Sequence, residues 1–339
     1  MTDASRDARL SRLMEAPEAR LAVIAVIVFI VMAALSPERF LSAQNMTSMA
    51  FQFPEFAILA LAMTVAMLTG GIDLSVVGIA NFSAVVAAMI LTRMTGSETS
   101  GAEAMLWLAV AIAASLSIGL AAGLFNGILV ASFGLPPILA TLGSGLIFTG
   151  IAVALTGGSA VMGFPQAAAW LGNGTLFGVP VPLILFALLA IGLSLLFNRT
   201  AFGLKLVMYG ANPLAARFAA IDVSGLLLRV YALSGLLSAT AGLVIMSRAN
   251  SAKADYGSSY LLLAVLIAVL GGVNPYGGYG KVIGVVLAVL SMQFLSSGLN
   301  MLQVSNFARE LIWGALLIFV MIVNTQSGLL RRRRRRVTS

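Results

Sequence analysis

FNRTAFGLKLVMYGANPLAARFAAIDVSGLLLR, residues 197–229, is a long polar interruption in a chain that otherwise passes from one apolar run to the next. Arg199, Lys205, Arg217, Asp222 and Arg229 fall inside it, and charges at that density are too costly to leave in hydrocarbon. The stretch therefore leaves the membrane and separates the spans before it from the spans after it. Within it, residues 212–221 read as a short helix: Asn212 is a good N-cap, and Pro213 at the first helical position gives up an N–H that would be unpaired anyway. Leu214, Phe218 and Ile221 then share one face, with Arg217 beside it. An amphipathic helix on a basic loop suits docking to another protein. It equally suits a connector lying on lipid headgroups.

Composition carries the same message through the rest of the chain. Sixty per cent hydrophobic residues, nine per cent charged residues and a mean hydropathy of +1.03 exclude a water-soluble domain, whose charged fraction is about a quarter. A span needs about 20 apolar residues, so 339 residues hold about ten spans and no sizeable soluble domain. The expected fold is all-α: a polytopic membrane protein with about ten transmembrane helices, some discontinuous, and both termini cytoplasmic. It divides into a cytoplasmic leader at 1–20, a transmembrane domain at 21–325 interrupted by the polar loop 198–224, and a basic cytoplasmic tail at 326–339. The net charge of +8 does not point to nucleic acid, because six of the twenty basic residues are the run at 331–336 and most others flank spans. With no Cys and no His there is no thiol nucleophile, no zinc site of the usual kind and no Ser-His relay. An enzyme is not expected, nor a cofactor or a metal.

In chain order, the first apolar run is 21–35; its shortness and its end in Met-Ala-Ala-Leu-Ser make a cleaved signal peptide the competing reading, against which the long, partly acidic leader argues. Pro54 and Glu55 interrupt residues 43–69, so a regular helix is expected to start at Pro54 with Glu55 complementing its dipole. It meets Gly70-Gly71-Ile72-Asp73-Leu74-Ser75, from which Asp73 to Ser75 cap a helix running to about Thr92. Residues 104–133 carry Gly119, Gly123 and Gly127, small residues four apart that allow close packing, and Asn126, which needs a partner. Further spans are expected at 137–156, 182–197, 225–246, 260–270, 281–298 and 306–323, with a glycine-rich loop at 157–178. Placed this way, fifteen Lys and Arg fall on the inner side against five on the outer, the asymmetry expected when both termini are cytoplasmic. Leu68-Thr69-Gly70-Gly71 and Val269-Leu270-Gly271-Gly272 end two apolar runs alike, a faint sign of an internal repeat.

Few residues carry chemistry. Glu310, beside Arg309, reads as a dipole complement or ion-pair partner, whereas Asp73 sits among apolar residues beside two glycines that expose backbone polar groups. It either lines a pathway or caps a helix. Gly277-Gly278-Tyr279-Gly280-Lys281-Val282 is no phosphate loop, since Pro275 stands where the first glycine belongs and Val282 where Ser or Thr belongs. Gly143-Ser144-Gly145 lacks the flanking glycine of a nucleophile elbow.

Leu68-Thr69-Gly70-Gly71-Ile72-Asp73-Leu74-Ser75, then Asn126-Gly127, Leu135-Pro136-Pro137-Ile138 with Thr141-Leu142-Gly143, and Gly210-Ala211-Asn212-Pro213 with Ala215-Ala216-Arg217, resemble in order the permease family of bacterial ABC sugar importers typified by the ribose permease. The resemblance covers about residues 43–323. Ser251-Ala252-Lys253-Ala254-Asp255-Tyr256-Gly257-Ser258-Ser259 and the stretch onward to Gly278 are similar to the rhamnose and autoinducer-furanose branch. Val77 before Gly78 departs from the family pattern. The resemblance implies an inner-membrane importer of a small neutral sugar such as rhamnose or a pentose. In such an importer two permease subunits, identical or similar, form the pore, a cytoplasmic ATPase hydrolyses ATP, and a periplasmic sugar-binding protein delivers the solute. On this reading Asp73, Ser75, Asn81, Asn126 and Thr141 belong to the substrate pathway. Asn212, Pro213, Leu214, Arg217, Phe218 and Ile221 form the coupling loop that the ATPase grips. The rival is an ion-coupled secondary transporter of a small polar solute using Asp73, which leaves the residue 212–221 helix without a role. A membrane-embedded enzyme would need His, Cys or clustered carboxylates, and a passive scaffold would not need the Gly-Gly-Ile-Asp break.

Overall fold

The computed structural model describes residues 17–96 and 99–337, and side chains at 18–96 and 99–322. Most of the expected leader, and the side chains of the basic tail, lie outside the described residues. Ahead of the polar interruption run α1 (Pro17–Leu35), α2 (Pro37–Phe40), α3 (Ala43–Met67), α4 (Val76–Met94), α5 (Gly101–Ala131) and α6 (Pro137–Thr156). They are followed by β1 (Val161–Met162), α7 (Gln166–Asn173), the hairpin β2 (Thr175–Leu176) and β3 (Val179–Pro180), and α8 (Val181–Arg199). The interruption folds as α9 (Ala201–Ala211) and α10 (Pro213–Phe218). After it come α11 (Val223–Ala249), β4 (Ser251–Ala252), α12 (Tyr260–Leu270), α13 (Val282–Met301) and α14 (Asn306–Val337). Among the described residues α1, α3, α4, α5, α6, α8, α11 and α13 are long and apolar enough to cross a membrane. The expected eighth span, α12, has 11 residues, about 16 Å at 1.5 Å per residue against a hydrocarbon core of ~30 Å. It is a discontinuous element. The expected tenth span lies within α14.

The second span corrects an expectation. α3 starts at Ala43, where the Ser42 hydroxyl accepts from the Asn45 N–H at 3.2 Å, and runs its 25 residues straight through Pro54. Proline lacks one donor for the helix ladder, a loss that a helix packed on all sides tolerates. Glu55 is therefore in mid-helix and complements no dipole. It pairs with the Arg248 guanidinium at the end of α11 and accepts from the Tyr260 hydroxyl at 2.9 Å. Residues 157–178, expected as a loop, hold β1, α7 and the hairpin. β1 pairs antiparallel with β4, and Gly172 N–H donates to the Ser247 hydroxyl at 2.6 Å, so this segment caps the ends of α11 and α4.

α11 is the hub of the bundle, packed on α3, α4 and α5. The small-residue stripe does what its spacing promised. Gly119 faces Gly235 and Ala239, Gly123 faces the Tyr231 backbone, and a Cβ on Gly127 would lie 3.0 Å from the Leu228 Cα. α1, α5 and α8 show long exposed apolar faces, Val26, Ile30, Leu106, Leu188 and Ile191 among them, as lipid-facing helices should. Lys281, ahead of α13, pairs with Glu18 at 2.6 Å, and that hydrogen bond together with the Glu18 charge holds the ammonium above its usual pKa.

Candidate functional site

Both Gly-Gly motifs end helices. After α3 the chain turns through Gly70 with φ 81°, and after α12 through Gly272 with φ 82°, a left-handed backbone that costs little only in glycine. From the first of these breaks the segment 70–75 threads between α5, α6 and α11, and there the site is assembled.

Asp73 is fully buried. Its Oδ1 accepts from the Ser75 N–H at 3.0 Å and the Ser75 hydroxyl at 2.5 Å, and its Oδ2 accepts from the Ser234 hydroxyl of α11 at 2.7 Å. Asn126 on α5 donates through Nδ2 to the Ser75 oxygen at 2.7 Å. On the other flank the Leu74 N–H donates to Thr141 Oγ1 of α6 at 2.9 Å, and the Thr141 proton reaches the Pro137 carbonyl at 2.8 Å or the Ile72 carbonyl at 3.1 Å. Five side chains from four separate segments, Asp73 and Ser75, Asn126, Thr141 and Ser234, thus close a clamp around the entry to α4. Asp73 thus accepts three hydrogen bonds and, among the described residues, forms no ion pair; hydrogen-bond partners of this kind are what a buried carboxylate needs. Among the described residues Asn126 Oδ1 and the Tyr231 hydroxyl remain buried without a partner, and a Cβ at Gly71 would lie 2.8 Å from that hydroxyl. Val77, the departure from the family pattern, is accommodated in the first turn of α4, where Gly78 packs on Gly145. Asn81 is buried but apart from the clamp, donating to the Ala254 carbonyl at 2.9 Å.

The polar interruption supplies a second feature. Asn212 caps α10 by accepting from the Ala215 N–H at 3.0 Å, with Pro213 in the first turn. The helix is shorter than the expected 212–221, because Ala220 turns to φ 55° and leaves Ile221 beyond the end. Only Ala216 of α10 is buried; Leu214 is 63% and Phe218 85% exposed, with Arg217 exposed between them. Behind α10, burial pushes the Tyr209 phenol up from its ordinary value, against the opposing charge of Arg217.

A backbone junction joins the two. The Gly278 N–H donates to the Leu68 carbonyl at 3.0 Å, and a Cβ on Gly210, at the end of α9, would collide with that same carbonyl. A Cβ on Gly277 would lie 2.6 Å from the Gly70 nitrogen. The loop after α12, the break after α3 and the approach to α10 meet at glycines where no side chain fits. Sequence reading named both Gly-Gly motifs and Asn212 but not this meeting, nor Ser234 and Tyr231, which read as ordinary residues of an apolar helix.

Comparison with known proteins places these features in a family. Residues 45–321 match the family model described as branched-chain amino acid transport system, permease component. The autoinducer 2 import system permease protein LsrD of Klebsiella pneumoniae is 37% identical over 299 residues, 86% of each chain. Those of an Enterobacter species and of Photorhabdus luminescens are each 34% identical over 299 residues, 86% of this chain and 88% and 86% of theirs. No solved structure matches.

Proposed function

We propose, on the premise that this chain belongs to the family of permease components of branched-chain amino acid transport systems, that it imports autoinducer 2 or a related small neutral sugar such as rhamnose or a pentose. The chain is an ABC importer permease, a multi-pass protein of the bacterial inner membrane. It is a transport subunit rather than an enzyme. In the proposed assembly two such permeases, identical or similar, form the pore, a periplasmic sugar-binding protein delivers the solute, and a separate cytoplasmic ATPase hydrolyses ATP.

The observation that carries the reading is α10. A capped six-residue helix that holds Phe218 and Leu214 out of its own fold has the form of a partner-binding knob. Asn212, Pro213, Leu214, Arg217 and Phe218 constitute it, and Ile221 borders the adjoining groove with Arg217. Asp73, Ser75, Asn126 and Thr141 are proposed to close the pathway at its inner end, with Asn126 Oδ1 the acceptor released to the solute when the clamp opens. Asn81 would line it farther out. The names of the relatives favour autoinducer 2 over an amino acid, and the clamp offers no free charge pair for a zwitterion.

The test is uptake of labelled autoinducer 2, L-rhamnose, D-ribose and L-leucine in cells lacking and then regaining this chain together with its neighbouring ATPase. Accumulation of a neutral sugar should persist when a protonophore is added with ATP held constant. Collapse under that condition would replace the proposal with the ion-coupled carrier, and uptake of leucine alone would replace the sugar.

A further inference from the structure

A cavity of about 260 Å³ opens between α3, α11, α12, α13 and α14, and shares no residue with the clamp or with α10. It lies at the ends that the charge distribution places outward. Its volume is slightly under the ~300–1,000 Å³ of drug-sized ligand pockets, which suits one monosaccharide and excludes a longer chain.

The charges around it are already used. Arg248 is paired with Glu55, which also takes the Tyr260 hydroxyl, Glu310 accepts from the Ser259 hydroxyl, and Arg309 donates to Asn306. Two cations against two carboxylates leave no net charge for an ionic ligand. What is unused is neutral or a single N–H. Among the described residues Trp313 Nε1 and Arg309 Nε are buried without an acceptor, Trp313 being only 8% exposed. Gln293, 2% exposed, has no side-chain hydrogen bond among the described residues. Folded proteins leave few such groups unpaired, since each costs stability. The wall beside them is apolar and aromatic: Phe56 and Tyr260 meet edge to face at 5.9 Å. Unpaired donors and an amide next to aromatic faces match a molecule with hydroxyl oxygens on its edge and C–H groups on its face.

We infer that this cavity is a receiving site for one small uncharged polyol, held by Gln293, Arg309 and Trp313, on the outward side of the clamp. The inference rests on the import reading but concerns a different place, so the two fail separately. Among the described residues, Gln293 and the Trp313 N–H have no hydrogen-bond partners. Gln293→Leu and Trp313→Phe therefore remove ligand contacts and no internal hydrogen bond.

The full chain in lipid nanodiscs, with Trp107 and Trp170 replaced by Phe, leaves Trp313 as its sole tryptophan. Titration with autoinducer 2, L-rhamnose and D-ribose should give a saturable fluorescence change with at least one. Gln293→Leu in that background should raise the half-saturating concentration about tenfold with melting temperature unchanged. In cells, Gln293→Leu combined with Trp313→Phe should lower the saturated import rate at unchanged abundance and unchanged ATPase co-purification. The inference is overturned by no saturable change with any polyol, which would leave water as the occupant. It is also overturned by a change with L-leucine alone, or by a Gln293→Leu titration identical to the parent's. Sugar import by the parent chain alongside any of these results would sink the receiving site and leave the importer standing.

Discussion

Asp73 and Phe218 are opposite solutions to the same problem of an unsuitable side chain. Asp73 is a carboxylate at zero exposure and Phe218 an aromatic ring at 85% exposure. The carboxylate is tolerated because its own chain supplies three donors, from Ser75 twice and Ser234 once. The ring gets no such cover, and α10 is capped at Asn212 so that it stays out. The first group is satisfied within the fold, whereas the second is left on the surface, where a partner or the lipid headgroups could cover it. The glycines at 70, 210, 277 and 278 bring the backbones carrying the two into direct contact.

The comparison is broken most severely at Asp73. Asp73→Ala strands two donors on Ser75 and one on Ser234, and each buried unsatisfied donor costs ~1–3 kcal/mol. Abundance and thermal stability in detergent should fall steeply, with uptake. A variant of parental abundance and melting temperature would show that the clamp does not hold the break after α3. Phe218→Ala should do the reverse, leaving abundance and melting unchanged. Loss of roughly 1.5–3 kcal/mol of burial in a partner groove should weaken ATPase co-purification more than tenfold and abolish uptake. Unchanged recovery of the ATPase would reassign α10 to the lipid headgroups.

Gly210→Ala attacks the connection itself. Its Cβ meets the Leu68 carbonyl, and overpacking of this kind costs ~1–3 kcal/mol. Uptake should slow several-fold while the ATPase still binds. Equal loss of both would mean that the junction only shapes α10. The smallest effect is expected from Arg217→Ala. A cation at the rim of an interface steers association more than it strengthens it, so the deficit in ATPase binding should be under ~1 kcal/mol and should vanish at high salt. A salt-independent loss as large as that of Phe218→Ala would place Arg217, not the ring, at the centre of the interface.

The residues from which the fold was legible are those that answer to the solvent. Spans at 137–156 and the cap at Asn212 emerged nearly residue by residue, because hydrocarbon excludes charges and because proline and asparagine have narrow roles at helix starts. Pro54 misled for the same reason: it reads as a beginning, and only the packing around α3 shows that the helix continues through it. The short elements at 157–178 were hidden by glycine, and α9 by the charged residues on either side of it. Of the site, Asn126 was legible as a polar group needing a partner and Asp73 and Ser75 as a cap or pathway, Thr141 entered only through the family resemblance, and Asn81 lies elsewhere. Gln293 and Trp313 drew no reading from the sequence, because a lone amide and a lone indole in separate apolar runs are joined only by the packing around the cavity.

By itself the sequence determined that this is a membrane-embedded helical bundle of about ten elements, with a basic loop between its two parts. Those properties follow from transfer free energies and helix geometry, which act on one segment at a time. Only the tertiary structure decided which polar groups meet. Asp73 and Ser234 are 161 positions apart and Glu55 and Arg248 are 193 apart, and such pairs are brought together only by the packing of the assembled bundle.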